Sequence, residues 1–227
     1  MIRDAKGGPF TWLLEWYVAR KVRSAFRGVW VRGALPSADG GLLVYANHSS
    51  FWDGFLIHQV ARAARWDGYA MMEEANLAKY PFHARLGAFS VRRGDRRSAL
   101  ESVRYAAGVL RREQGAVFVF PEGELRAGGG PLGRFKRGVE VIARHAKVRC
   151  LPLAIRYTFL EHEHPDVLLE VGPTHPPDDL GRFVTELSFA HARLSEARST
   201  DGFACLIRGR ASVQERWDSV RALSSGP

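Results

Sequence analysis

The chain alternates short apolar runs with segments of helical periodicity, and this alternation constrains the fold more than any other feature of the sequence. Residues 41–46 and 116–120 are continuous apolar runs, which are typical of strands buried on both faces of a parallel sheet. Between them, apolar residues recur at helical spacing after Ser98, which forms a capping-box pattern with Glu101. Strand, helix and strand in this order predict an α/β domain with a mostly parallel central sheet flanked by helices.

The rest of the chain divides in the same way, without an internal repeat. We predict further helices at residues 51–64, 135–145, 178–198 and 201–223, and further strands at residues 69–72, 87–91, 148–155 and 167–171. A Gly-rich turn near residues 33–41 separates an N-terminal helical segment, residues 1–32, from the α/β domain, residues 33–223. The final Ser-Ser-Gly-Pro, residues 224–227, is predicted to be a disordered tail.

The composition indicates one globular domain with an anionic partner. The chain has 227 residues and a formal net charge of +9, which would suit either nucleic acid or lipid headgroups. Cys150 and Cys205 are too few for a disulfide framework, and we expect free thiols in a reducing compartment.

The basic excess is concentrated in residues 1–36, which contain seven Lys and Arg against two Asp and Glu. On a helical wheel of residues 18–30 an apolar arc opposes a basic arc, and residues 10–17 upstream are mostly apolar and rich in Trp. This pattern predicts an N-terminal amphipathic, membrane-associating helical segment, with packing of the apolar arc on the protein's own core as the alternative. Residues 10–19 are too short for a transmembrane helix and contain Glu15. We therefore expect a peripheral protein at the cytoplasmic face of the membrane, bound to anionic lipids.

His48 and Asp53 are the strongest candidates for catalytic residues. His48 follows a predicted strand and Asp53 begins a predicted helix, so the intervening turn can bring the two side chains together. An aspartate that accepts a hydrogen bond from one imidazole nitrogen leaves the other nitrogen free as a base. The alternative is a helix capped by Ser50, with Asp53 as a first-turn acid and His48 as an ordinary turn residue.

Four ordered blocks resemble the motifs of glycerolipid acyltransferases, the family of bacterial 1-acylglycerol-3-phosphate acyltransferases. The blocks are Asn-His-Ser-Ser-Phe-Trp-Asp at residues 47–53, Gly-Ala-Phe-Ser-Val-Arg-Arg at 87–93, Phe-Pro-Glu-Gly at 120–123 and Leu-Pro-Leu at 151–153. One short motif is weak support, whereas four in the family's order and spacing strongly favour a catalytic role for His48 over the helix-cap alternative.

The resemblance implies an acyltransferase that moves a fatty acyl group from an acyl-CoA or acyl-carrier-protein thioester to a lysophospholipid hydroxyl. His48 would deprotonate the hydroxyl, and Asp53 would orient the imidazole. The sequence contains no Gly-x-Ser-x-Gly motif, which would indicate an acyl-enzyme intermediate. We expect neither a cofactor nor a metal. The basic surface would also suit an acidic acyl-carrier protein as donor.

The resemblance also implies a set of substrate-binding residues. Arg93, with Arg92 beside it, would bind the phosphate of the acceptor, although a solvated basic turn is the alternative. Glu122 and Gly123 would organise the acceptor or form only a tight turn, and the Gly123 N–H is a candidate donor to the oxyanion. The remaining candidates in or beside the motifs are Asn47, Arg126 and Pro152.

Two departures from the family pattern put a phosphate-bearing acceptor in doubt. The third block continues with Glu124-Leu125-Arg126, where the family usually has Thr-Arg, and Glu73-Glu74 stand where a lysine is common. Both changes make the acceptor pocket more acidic. A different lysolipid, a glycolipid or another lipid alcohol therefore stays open as acceptor.

Two other classes of function remain as alternatives. A membrane-binding module that has lost catalysis would have no need for both His48 and Asp53. Nucleic-acid binding is suggested by charge alone, and no recognised binding motif supports it, so we expect no nucleic-acid partner. The histidines at 162, 164 and 175 lie near acidic residues, but we interpret this stretch as a solvated loop and not as a metal site.

Overall fold

The computed structural model describes residues 1–128 and 130–224, which fold around one eight-stranded sheet. The strands are β1 (Gly28–Arg32), β2 (Leu42–Ala46), β3 (Asp67–Glu73), β4 (Ala88–Val91), β5 (Gly115–Val119), β6 (Arg149–Thr158), β7 (Asp166–Val171) and β8 (Ala204–Arg208). The helices are α1 (Pro9–Ala25), α2 (Asp53–Ala63), α3 (Glu74–Lys79), α4 (Phe82–Arg85), α5 (Arg96–Leu110), α6 (Gly138–Ala146), α7 (Leu180–Ser195) and α8 (Val213–Ser224).

The strand order is β4-β3-β5-β2-β6-β7-β1-β8, and only the pairs β6–β7 and β1–β8 are antiparallel. This confirms the predicted mostly parallel sheet. Strand β2 lies near its centre and is buried at all of its residues. Tyr45 of β2 pairs with Val119 of β5 and with Pro152 of β6, so the carboxyl ends of these three strands lie side by side.

The helices cover both faces of the sheet. On one face, the core contains Val18 and Val22 of α1 together with Leu56 of α2. On the other face, Val103 of α5 and Phe183 of α7 belong to a second core, which α6 completes. Two apolar layers of this kind are what strands without a solvent-facing side require.

The N-terminal helix differs from the prediction in its end and in its packing. It ends at Ala25, and Val29 and Trp30 lie in β1, because this stretch pairs with β7 and β8. The boundary predicted at residue 33 therefore falls after a strand of the sheet. Val18 and Val22 are each 1% exposed, so the apolar arc packs on the protein's own core.

The C-terminal region also departs from the prediction. The helix expected at residues 201–223 begins only at Val213, since Ala204–Arg208 forms β8 on the free edge of β1. Of the tail predicted at residues 224–227, Ser224 ends α8 and residues 225–227 lie outside the described residues.

The cap of α5 is Asp95 and not Ser98. The Asp95 carboxylate accepts hydrogen bonds from the backbone N–H groups of Arg97 at 2.9 Å and Ser98 at 3.0 Å. The Ser98 hydroxyl accepts instead from the backbone N–H of Arg92 at 2.9 Å. The helix therefore starts earlier than the capping-box pattern predicts.

Two further observations bear on the sequence predictions. Across residues 1–128 and 130–224, none of the helices combines the length and the apolar character needed to cross a bilayer. Cys150 is buried and Cys205 is exposed, and both are free thiols, as predicted.

Candidate active site

His48 and Asp53 meet at the carboxyl end of β2. Asp53 is the first residue of α2, and the turn between the two residues brings His48 Nδ1 to 2.7 Å from Asp53 Oδ2. With Nδ1 donating to the carboxylate, the other ring nitrogen, Nε2, carries the free lone pair. The His48 side chain is 26% exposed, so this nitrogen is accessible to a substrate in a crevice.

Asp53 is held by a complete set of hydrogen-bond donors. The backbone N–H groups of Ser49 and Ser50 donate to Oδ2 at 2.8 and 2.9 Å, and the Tyr157 hydroxyl donates to Oδ1 at 2.6 Å. The carboxylate is fully buried, and these donors together with His48 replace the water that it has lost. The turn and Tyr157 thus hold the Asp53 carboxylate in one position, as expected of a group that orients the His48 imidazole.

Tyr157 was not found by the sequence analysis. It lies near the carboxyl end of β6, 104 residues from Asp53 in the chain. Burial and the neighbouring Asp53 raise the pKa of Tyr157, so its hydroxyl stays a donor across the neutral range. Only the pairing of β6 beside β2 brings the two residues together, and no local pattern indicates it.

Phe120 fixes the plane of the His48 ring. The two rings stack with centroids 4.4 Å apart and an angle of 21° between their planes. Phe120 follows β5 and is the first residue of the third sequence block. The motif therefore includes Phe120, although the sequence analysis assigned this residue no role.

The Glu122 carboxylate connects the third sequence block to the turn between β2 and α2. It is 3% exposed, and its carboxylate accepts from the backbone N–H of Gly133 at 2.7 Å and of His48 at 3.4 Å. Gly123 adopts a positive φ of 68°, and its N–H donates to the Phe120 carbonyl at 2.9 Å. The Gly123 N–H is therefore used inside the turn, and the prediction that it receives an oxyanion is not supported.

The two arginines of the second block point to different partners. Arg93 Nη2 donates to the Gly123 carbonyl and lies 3.0 Å from the Glu73 carboxylate. Arg92 pairs with Glu74 at 2.5 Å, and this guanidinium holds the pKa of the Glu74 carboxyl below its usual range. The structure thus places Arg93, but not Arg92, against the turn that contacts His48.

Two predicted substrate-binding residues have structural roles instead. The Asn47 amide donates to the Ile155 carbonyl at 2.9 Å and accepts from the Ile155 N–H at 2.8 Å, so it joins β2 to β6. Pro152 is buried inside β6, and its ring packs against Gly172. Pro152 has no polar group to offer a ligand, whereas Asn47, besides joining the strands, also lines the cleft beside His48.

A narrow cleft with a free volume of about 10 Å³, room for about one water molecule, opens at this end of the sheet. Its lining residues are Asn47, His48, Ser49, Glu122, Arg126, Gly130, Pro131, Leu132 and His191. His191, on α7, escaped the sequence analysis because an isolated histidine in an amphipathic helix gives no signal. Burial lowers the pKa of His191, so it is mostly neutral at pH 7.

Of the three histidines interpreted as lying in a solvated loop, His175 is buried. His175 is 2% exposed, and its Nε2 accepts from the Tyr45 hydroxyl at 2.8 Å while Nδ1 donates to the Pro176 carbonyl at 2.8 Å. It is a core histidine whose two nitrogens are satisfied. In the part of the chain that the structure describes, no three His, Cys, Asp or Glu side chains are grouped to hold a metal ion.

A His–Asp pair in the turn after a parallel strand, beside a cleft, has the position that active sites take in α/β enzymes. The acyltransferase family model matches residues 28–156, which is more than half of the chain. The chain belongs to the acyltransferase family.

A comparison with known proteins identifies a solved structure with a similar fold. A search of curated proteins finds no match. Among solved structures, the chain is similar to the 1-acyl-sn-glycerophosphate (LPA) acyltransferase PlsC from Thermotoga maritima, with a TM-score of 0.59 and 21% identity. The similarity covers 83% of this chain and 80% of that chain, and at this identity it shows a shared fold.

Proposed function

We propose that this acyltransferase moves a fatty acyl group from a thioester, of coenzyme A or of an acyl-carrier protein, to the hydroxyl of a lysophospholipid. The observation that carries the proposal is the contact of 2.7 Å between His48 Nδ1 and the buried Asp53 carboxylate. It leaves His48 Nε2 as an accessible base beside the cleft. A lysophospholipid acceptor, as a class, rests on the sequence blocks, which resemble those of 1-acylglycerol-3-phosphate acyltransferases, and on the function of PlsC.

The reaction balances with one base. His48 Nε2 takes the proton of the acceptor hydroxyl, and the oxygen attacks the thioester carbonyl carbon. The C–S bond then breaks, the thiolate leaves, and the imidazolium returns the proton to sulfur. Asp53 stabilises the imidazolium during this sequence, and the Phe120 ring keeps the imidazole plane in place.

Replacement of His48 tests the proposal. We expect His48→Ala to lower thioester-dependent acylation by about 10³-fold, because the general base is lost. Product would be measured with acyl-CoA and acyl-carrier-protein donors and with lysophosphatidate, other lysophospholipids and monoacylglycerol as acceptors. The matched control is His145→Ala, which removes an exposed histidine of α6. A folded wild-type protein that acylates none of these acceptors would contradict the proposal and indicate a non-catalytic membrane-binding module.

The exposed face of α1 supports a second part of the proposal, peripheral binding to anionic lipids at the cytoplasmic face of the membrane. Five large apolar residues of α1 are about half exposed or more: Phe10, Trp12, Leu13, Trp16 and Tyr17. Beside them is an open groove whose lining includes Arg20, Arg23 and Arg210. Aromatic rings next to arginines match the interface of an anionic bilayer. The contacts with lipid would thus be made by residues 10–17, and not by the arc that contains Val22.

The double variant Trp12→Ala and Trp16→Ala tests this surface. We expect it to weaken binding to vesicles containing phosphatidylglycerol by about tenfold, because two large apolar groups no longer enter the interface. Sedimentation with vesicles measures the change. Phe189→Ala, which removes a ring that is 66% exposed on α7, is the matched control. Equal binding of both variants would refute the assignment of α1 as the docking surface.

A further inference from the structure

Eight charged side chains lie at or beyond the carboxyl ends of three neighbouring strands, and we call them the headgroup rim; two of them, Glu122 and Arg126, line the cleft. They follow or end strands β3, β4 and β5, so they lie along the same edge of the sheet as His48. The headgroup rim consists of Glu73, Glu74, Arg92, Arg93, Glu122, Glu124, Arg126 and Lys136. Its four carboxylates balance its four cations, whereas the whole chain has a formal net charge of +9.

Arg93 contacts the catalytic turn, and its guanidinium already has an anionic partner. Arg93 Nη2 lies 3.0 Å from the Glu73 carboxylate and donates to the Gly123 carbonyl. Gly123 follows Glu122, which accepts from the backbone N–H of His48. An acceptor oriented with its hydroxyl at His48 and its headgroup at Arg93 must therefore lie close to Glu73.

The other two arginines are occupied in the same way. Arg126 lies 3.6 Å from the Glu122 carboxylate and 3.4 Å from that of Glu124. Arg92 lies 2.5 Å from Glu74. All three guanidinium groups in the headgroup rim are thus matched by a carboxylate of the protein itself.

Lys136 is the remaining cation of the headgroup rim. Its Nζ lies against Gly123, 2.7 Å from where a Cβ on that residue would stand. Among the described residues, no carboxylate forms an ion pair with Lys136. The headgroup rim thus offers a ligand one positive charge that the protein does not already neutralise.

We infer that Glu73 makes this enzyme select acceptors whose headgroup carries one negative charge or none, and reject phosphate monoesters. The inference rests on the proposed function and names its substrate class. A phosphate monoester carries nearly two negative charges at pH 7, so its binding is favoured by more than one cation that no carboxylate of the protein already neutralises. Beside Arg93 it would be repelled by the Glu73 carboxylate, whereas a phosphodiester needs only the charge of Lys136.

The test compares three acceptors that share one acyl chain: lysophosphatidate, lysophosphatidylglycerol and monoacylglycerol. Each is presented in the same neutral detergent micelles, and kcat/KM is measured for the wild type, Glu73→Gln and Glu113→Gln. Glu113 is an exposed carboxylate at the opposite end of the sheet, before β5, and serves as the matched control.

We expect the wild type to prefer one of the two acceptors without a phosphate monoester over lysophosphatidate by about tenfold or more. Glu73→Gln should raise the relative kcat/KM of lysophosphatidate by about tenfold, whereas Glu113→Gln should leave the ratio unchanged. A wild-type preference for lysophosphatidate, or a ratio unmoved by Glu73→Gln, would overturn the inference while leaving the acyltransferase proposal intact. Absence of His48-dependent product with every acceptor would instead overturn the proposed function.

Discussion

The two sides of the crevice are held by different kinds of interaction: a buried hydrogen-bond network on one side and exposed ion pairs on the other. On the side of β2 and β6, Asp53 is fully buried and accepts four hydrogen bonds of 2.6 to 2.9 Å. On the side of β3 and β4, Arg92 and Arg93 are 60% and 51% exposed and pair with glutamates in water. Buried charged networks lose several kcal/mol when one member is removed, whereas exposed ion pairs contribute about 1 kcal/mol or less. On the proposed function, the chemistry is thus built into the fold, and headgroup recognition would depend on side chains that substitution can change at little cost in stability.

The largest difference between the two sides should come from Asp53→Asn. We expect acylation to fall by about 10³-fold, because the amide cannot orient the imidazole and stabilise its charged form. The free energy of unfolding should also fall by about 2–4 kcal/mol, since a buried acceptor of four hydrogen bonds is replaced by a group that accepts fewer. Steady-state kinetics and urea denaturation measure the two effects. Unchanged activity would mean that the dyad is not the catalytic base.

Tyr157→Phe probes the same buried network more gently. Loss of the hydroxyl leaves Asp53 Oδ1 without its donor at 2.6 Å, which should cost about 1–2 kcal/mol of stability and about tenfold in kcat. The matched control is Tyr80→Phe, because the Tyr80 side chain is 37% exposed. A pH–rate profile separates the roles: a shift of its acidic limb in Tyr157→Phe, absent from the control, would show that the tyrosine acts through His48.

The smallest effects should come from the exposed side. We expect Arg93→Ala to lower kcat/KM by about tenfold, because the guanidinium contacts Gly123, and Arg92→Ala by about threefold or less. Neither variant should lower the melting temperature by more than about 2 °C, since both ion pairs are exposed. Equal and large losses of stability in both variants would break the contrast between the two sides.

Much of the architecture could be predicted from the sequence. Apolar runs such as residues 116–120 identify buried strands, and short connections with helices between them leave few options besides a parallel sheet. The turn between His48 and Asp53 is local, so the sequence predicts their contact, but only the four ordered blocks favoured a catalytic dyad over a helix cap. Glu122 and Arg93 were found because they belong to motifs, and the structure places Glu122 against the His48 backbone and Arg93 against the Gly123 carbonyl.

What sequence reasoning missed was decided by contacts between distant segments. Val29 and Trp30 fit a helical wheel, yet the edge of β7 pairs them into a strand. The stretch at residues 204–208 is likewise a strand because β1 offers an unpaired edge. Asn47 has the position of a ligand-binding residue, but its amide forms two hydrogen bonds with the backbone of Ile155. In each case the outcome depends on sheet register, which local periodicity does not contain.

Helix α1 has a consequence for how the enzyme would meet its substrate. Its inner face is part of the core, and Glu15 on α1 pairs with Arg62 on α2 at 2.8 Å. Helix α2 begins at Asp53, so the proposed docking helix packs directly on the helix that holds one member of the proposed catalytic dyad. The depth to which the aromatic residues of α1 enter the lipid would therefore set the height of His48 above the bilayer.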